Sequence, residues 1–189
     1  EIKNIHGLNT TPKAILDFPS KNLNVFLRDN YNIIYKAPMD AAKTNLSDES
    51  IDLFVSNATM EHVPRESLRN ILKEAYRILK PGGVLSHSID YKDHWAYFDN
   101  RLSYYDFLQY NEKSWKYKNP DLNYQNRLRH KDYKELFLSA GFKIQYEEPN
   151  NPSEKDKEAL RNLNIHEEFS SKYSFEELSI LSSLFVLTK

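Results

Sequence analysis

Cysteine is absent from all 189 residues, which excludes disulfide frameworks, thiolate nucleophiles and cysteine-held zinc or iron–sulfur centres. A chain without thiols suits a reducing compartment, and the cytoplasm is the expected location. Glycine is nearly as scarce: the 4 in the chain are Gly7, Gly82, Gly83 and Gly141, so neither a G-x-G-x-x-G loop nor a P-loop can be written from them. No apolar run approaches the roughly 20 residues that span a bilayer, and Glu1, Ile2 and Lys3 do not open a signal peptide. An excess of one charge is missing as well. Lys+Arg number 26 against Asp+Glu 27, so no global field gathers nucleic acid or anionic lipid, and no nucleic-acid partner is expected.

What remains is enough for one buried core, and residues 1–189 are expected to form a single domain. Pro12 and Pro19 surround Ala14, Ile15 and Leu16, which leaves the first 20 residues open. Leu23, Phe26 and Leu27 predict a turn or two of helix with those side chains inward; Ile33, Ile34 and Tyr35 predict a short strand over 31–37, stopped by Pro38. Residues 51–56 (IDLFVS) form a nearly unbroken apolar run, as expected of a strand covered on both faces. Leu68, Ile71, Leu72, Ala75, Tyr76 and Leu79 recur at helical spacing between Pro64 and the Pro81-Gly82-Gly83 turn. A second strand follows over 84–89, giving the order strand, helix, strand of a right-handed crossover. Residues 91–129 are crowded with aromatics and lack clean periodicity, so an insertion or lid is expected there. Tyr133, Leu136 and Phe137 restore helical spacing before Gly141 and a strand over 142–146. The charged stretch 147–160 reads as a solvent-facing connection, and 178–188 ends in a buried strand.

Several short stretches together resemble a class I S-adenosylmethionine-dependent methyltransferase of the small-molecule type. Asp40-Ala41, followed by Ser47-Asp48-Glu49-Ser50-Ile51-Asp52-Leu53, resembles that family's acidic-Ala pair and the entry to its fourth strand. Ser56-Asn57-Ala58-Thr59-Met60-Glu61-His62-Val63 resembles the end of that strand, and Leu79-Lys80-Pro81-Gly82-Gly83 the turn before the fifth. Ser139-Ala140-Gly141-Phe142 resembles the approach to the sixth. The resemblance covers roughly residues 31–189 and implies an α/β, Rossmann-like sheet, mostly parallel with an antiparallel C-terminal strand and an aromatic insertion after the fifth family strand. The family's glycine-rich loop is not identifiable: residues 14–18 (AILDF) faintly resemble the first strand, but Pro19-Ser20-Lys21 stands where glycines belong. One or more N-terminal strands are therefore expected to be missing or replaced, and a chain that opens on Glu1 is expected to be part of a longer enzyme.

The resemblance implies S-adenosylmethionine as cofactor, with Asp40 and Ala41 at the adenine and Asn57 and Ala58 beside the methionine moiety. A turn-forming Asp and a strand-capping Asn are the plain alternatives. His62, Asp90 and His94 are candidate catalytic bases at strand exits, since imidazole titrates near neutrality and a carboxylate accepts a proton from an attacking nucleophile. His87, Arg127 and Arg129 are candidate acceptor-binding residues, the arginines as forks for a carboxylate or phosphate. The His and Asp spacing over 87–94 matches no firm metal signature, so no metal site is expected. Methyl transfer to a small-molecule or carbohydrate-like acceptor is the expected activity; the competing expectation is a non-catalytic scaffold that has lost the glycine loop.

Overall fold

The computed structural model describes residues 23–189. The readings made over 1–20, including the faint first strand at 14–18, lie outside the described residues. The chain divides into two compact units, Glu1–Met39 and Asp40–Lys189.

In the first unit, helix α1 spans Leu23–Tyr31. It ends where Asn32 takes a left-handed φ of +54°. The Asn32 N–H then donates to the Arg28 carbonyl (3.0 Å), the 5→1 bond of an αL ending, and the Ile33 N–H reaches back to the Leu27 carbonyl (3.1 Å). Phe26 and Leu27 are half-buried, but Leu23 is exposed, which corrects its inward assignment. The strand expected over 31–37 does not form. Among the described residues no strand pairs with it, and a lone extended segment is not stable by itself; Ile34 is 73 % exposed.

In the second unit, β1 (Ile51–Asn57), β2 (Leu79–Asp90), β3 (Lys143–Pro149) and β4 (Ser182–Thr188) make one mixed sheet in the order β1-β2-β4-β3. β1 and β2 are parallel, and β4 lies antiparallel between β2 and β3. The parallel pair is joined by α2 (Arg65–Ile78), which starts after Pro64 and stops when Leu79 turns extended at ψ 135°. α2 buries Leu68, Leu72, Ala75 and Ile78 as one stripe. The Lys80-Pro81-Gly82-Gly83 turn sits inside β2 as an interruption of register, with Gly82 at φ +76°.

The approach to β1 is tied to α2. Thr44 gives both its N–H (2.9 Å) and its hydroxyl (2.5 Å) to Glu74, and Arg77 reaches the Leu46 carbonyl at 2.8 Å. Hydrogen bonds from Arg77 and Thr44 hold the Glu74 carboxyl down to about 2.

α4 (His130–Ser139) packs beside α2 on the same face of the sheet, and Leu85, Ile89, Phe185 and Leu187 meet Leu72, Leu136 and Phe137 in the main core. The opposite face behaves differently: Leu53 (56 %) and Val55 (63 %) stand exposed on β1, which corrects the expectation of cover on both sides. β1 is an edge strand among the described residues, so the alternation of buried and exposed positions is that of a one-sided sheet.

The aromatic stretch 91–129 builds short 3-10 turns and α3 (Glu112–Lys118). It is not loose cover. Tyr105, Phe107, Leu108 and Trp115 form a second core with Leu160 of α5 (Glu154–Arg161), Phe169 of α6 (Glu167–Ser170) and Leu178 of α7 (Phe175–Ser179). The stretch 147–160, read as a connection, thus contains the end of β3 and most of α5. No helix among the described residues is long and apolar enough to cross a membrane.

Candidate functional site

Because β1 and β2 are parallel, their C-terminal ends share one rim. Asn57 closes β1 opposite Ser88, and the Ala58 N–H donates to the Ser88 carbonyl at 3.0 Å. Ala58 does so with φ +45°, a left-handed conformation that costs an alanine about 1 kcal/mol or more. The chain then makes a tight 3-10 turn, Met60–His62, that buries Met60 and Glu61.

Asn126 fixes this turn. Its side-chain amide donates to the Met60 (2.9 Å) and Val63 (2.8 Å) carbonyls, and its own N–H donates to the Glu61 carbonyl at 2.7 Å. Glu61 is thereby held 1 % exposed, yet neither carboxyl oxygen has a hydrogen-bond partner. Burial pushes its carboxyl above the usual range. His62 follows with Nδ1 2.8 Å from the Tyr124 carbonyl. A carbonyl only accepts, so Nδ1 carries the proton and the Nε2 lone pair is left for other work.

From the end of β2 comes the other half. Asp90 accepts from the Tyr97 hydroxyl at 2.6 Å and from the Lys92 N–H at 3.0 Å, with His94 Nε2 at 3.7 Å. Burial alone would raise the Asp90 carboxyl, but His94, Tyr97 and the Lys92 main chain together hold it below its ordinary value. The His94 ring lies 4.9 Å from that of His62, and its main-chain N–H donates to Gln125 Oε1 at 3.2 Å. One donor atom each from Glu61, His62 and His94 falls within 4.8 Å of the others.

Asp93 and Trp95, the sequence neighbours of His94, line a cavity of about 440 Å³ with Tyr110, Trp115 and Tyr117.

The structure therefore brings His62, Asp90 and His94 together and places Asn57 and Ala58 on the same rim. Asp40 is exposed and accepts from the Ala42 N–H at 2.8 Å through Oδ1, an Asx turn that also presents Ala41. All three expected acceptor-binding side chains are already engaged within the fold. His87 is 0 % exposed, stacks 5.7 Å from Phe137 and bonds Ser56 at 2.5 Å; it belongs to the core face of β2, as its parity with Leu85 and Ile89 requires, and no acceptor reaches it. Arg129 is also 0 % exposed, its guanidinium donating to the Tyr91 (2.7 Å), Leu178 (2.9 Å) and Ile180 (2.6 Å) carbonyls. A fork already closed on three main-chain acceptors has nothing to offer an anion. Arg127 is similarly engaged with the carbonyls of Phe107 and Tyr110 and with Glu112. Glu61 was missed as a site residue. The signal was the adjacent Glu-His pair straight after a predicted strand, where a buried carboxylate is costly unless used.

Comparison with known proteins agrees with this architecture. Residues 3–86 match the family model described as "Methyltransferase domain". An arsenite methyltransferase of Aquipseudomonas alcaligenes is 44% identical over 54 residues, 29% of this chain and 15% of that protein, so the chain matches a small part of its length. Among solved structures, a SAM-dependent methyltransferase from Archaeoglobus fulgidus superposes with a TM-score of 0.50 at 14% identity, over 86% of this chain and 71% of that one. The [4+2]-cyclase SpnF does so with a TM-score of 0.50 at 15% identity, over 87% and 59%.

Proposed function

This is a chain of the class I S-adenosylmethionine-dependent methyltransferase fold, and from that premise we propose that it binds S-adenosylmethionine at the C-terminal rim of β1 and β2 and transfers the methyl group to a small-molecule or carbohydrate-like acceptor. The observation that carries this reading is the shared rim: the strained Asn57–Ala58 exit of β1 stands beside Ser88 of β2, two residues before Asp90. Asp40 would accept a hydrogen bond from the adenine amino group, Ala41 would flank it, and Asn57 and Ala58 would line the methionine end. The sulfonium supplies the activated methyl group. An acceptor oxygen or nitrogen forms the new bond to the methyl carbon, the carbon–sulfur pair stays on sulfur, and the released proton passes to His62, Asp90 or His94. The aromatic walls of the 440 Å³ cavity, with Asp93 and Asp106 at its edge, suit a sugar-like or planar acceptor by stacking and hydrogen bonding.

Calorimetric titration with S-adenosylhomocysteine tests the cofactor assignment. Saturable binding is expected, weakened roughly tenfold by Asp40→Ala, the loss of one hydrogen bond to a charged acceptor. No saturable heat with folded protein would favour the scaffold reading instead.

A further inference from the structure

We propose that Glu61, His62 and His94 form a binding site for a divalent transition-metal ion, zinc-like in its preferences, with three protein ligands and an open coordination position. Three observations converge. The donor set is two imidazoles and one carboxylate, which suits zinc and its neighbours and commonly leaves room for a water or substrate oxygen. The Glu61 carboxylate is 1 % exposed with both oxygens unpartnered, and the buried His94 Nε2 makes no hydrogen bond, its ionic neighbour being Asp90 Oδ2 at 3.7 Å. His62 is already oriented as a ligand: its Nδ1–H is anchored on the Tyr124 carbonyl at 2.8 Å, the outer bond by which ligating histidines fix their tautomer. Donor atoms around a tetrahedral zinc stand about 3.3–3.6 Å apart, as bond lengths of about 2.0–2.2 Å dictate. The three here lie within 4.8 Å, so small adjustments of the Glu61 and His94 side chains bring them onto one ion while His62 keeps its anchor.

Asp90 faces the same space, with its Oδ2 3.7 Å from His94 Nε2. Once both imidazoles hold the metal, Asp90 is the group left to take the acceptor's proton. That use rests on the methyl-transfer reading, whereas metal binding itself does not, and it narrows the acceptor to one that presents an oxygen to the cation.

The full chain, stripped with chelator and dialysed, is titrated with Zn²⁺ by calorimetry and with Co²⁺ by visible absorption, with no methyl donor present. The expected result is one ion per chain with d–d bands of low-symmetry four- or five-coordinate cobalt. Glu61→Gln and His94→Gln should each weaken zinc binding at least about tenfold, while His166→Gln, remote from the cluster, leaves it unchanged. Circular dichroism confirms that each variant is folded; should Glu61→Gln fail to fold, His94→Gln decides. Zinc affinity unchanged in folded His94→Gln, or no saturable binding to the wild type, overturns the proposal. The S-adenosylhomocysteine titration fails or succeeds separately, so the two readings fall independently.

Discussion

His87 shows how burial alone sets the behaviour of a histidine. Enclosed between Phe54 and Phe137, its imidazole is pushed down to about 3 by loss of water, so in the folded protein it stays neutral through the mildly acidic range. In the unfolded chain it takes a proton near pH 6.5. The unfolded state therefore binds more protons between those values, and stability falls as pH drops from about 6.5 toward 3, by up to about 1.4 kcal/mol per pH unit. Urea midpoints measured from pH 7 to pH 4 should show this slope, and His87→Asn should flatten it. Arg129 makes the complementary case. Arg129→Met deletes three donors from buried carbonyls and is expected to destabilise by about 3 kcal/mol or more in denaturant titration, with Arg129→Lys recovering little because a single ammonium cannot span that fork.

Elements in this chain are legible to the degree that their own residues decide them. α2 is fully announced, since its stripe of Leu68, Leu72, Ala75 and Ile78 is both periodic and buried. Leu72→Ala should accordingly cost about 2–5 kcal/mol in thermal or chemical unfolding. The ending of α4 is equally local: Gly141 sits at φ +97° with a hypothetical Cβ only 3.1 Å from the Tyr76 ring. Gly141→Ala should lower stability by about 1 kcal/mol or more, from backbone strain and the crowded ring together. Where neighbours decide, sequence reading fails. Residues 31–37 have strand-forming side chains but pair with no strand among the described residues, and the apolar run of β1 looks doubly covered although Leu53 and Val55 stand exposed. The candidate site divides the same way. Strand exits mark the places of His62, Asp90 and His94 in the sequence, whereas only the fold shows the Glu61 carboxyl oxygens buried without partners. Arg127 and Arg129 looked available because nothing in their spacing reveals the carbonyls that surround them.

At the scale of the whole molecule, the second unit has two cores with different origins. The main one joins α2 and α4 to the sheet; the other joins the aromatic stretch to α5, α6 and α7, far along the chain. The 440 Å³ cavity takes its walls from the aromatic stretch, including Trp115 and Tyr110 of the second core, so changes there should alter acceptor handling more than cofactor affinity. Trp115→Ala is expected to lower stability by about 3 kcal/mol or more while leaving S-adenosylhomocysteine affinity within about threefold in the protein that remains folded, as paired unfolding and titration experiments would show. β1 presents an exposed apolar row at the sheet margin, and Val55→Lys should raise the soluble fraction at high concentration, read by light scattering.

The position of β4 has a temporal consequence. It is the last of the four strands to leave the ribosome, yet it lies between β2 and β3, which join one sheet only through it. Until then the nascent chain must carry two open ladders, so the interval between synthesis of residue 149 and of residue 188 is when this protein most needs a chaperone.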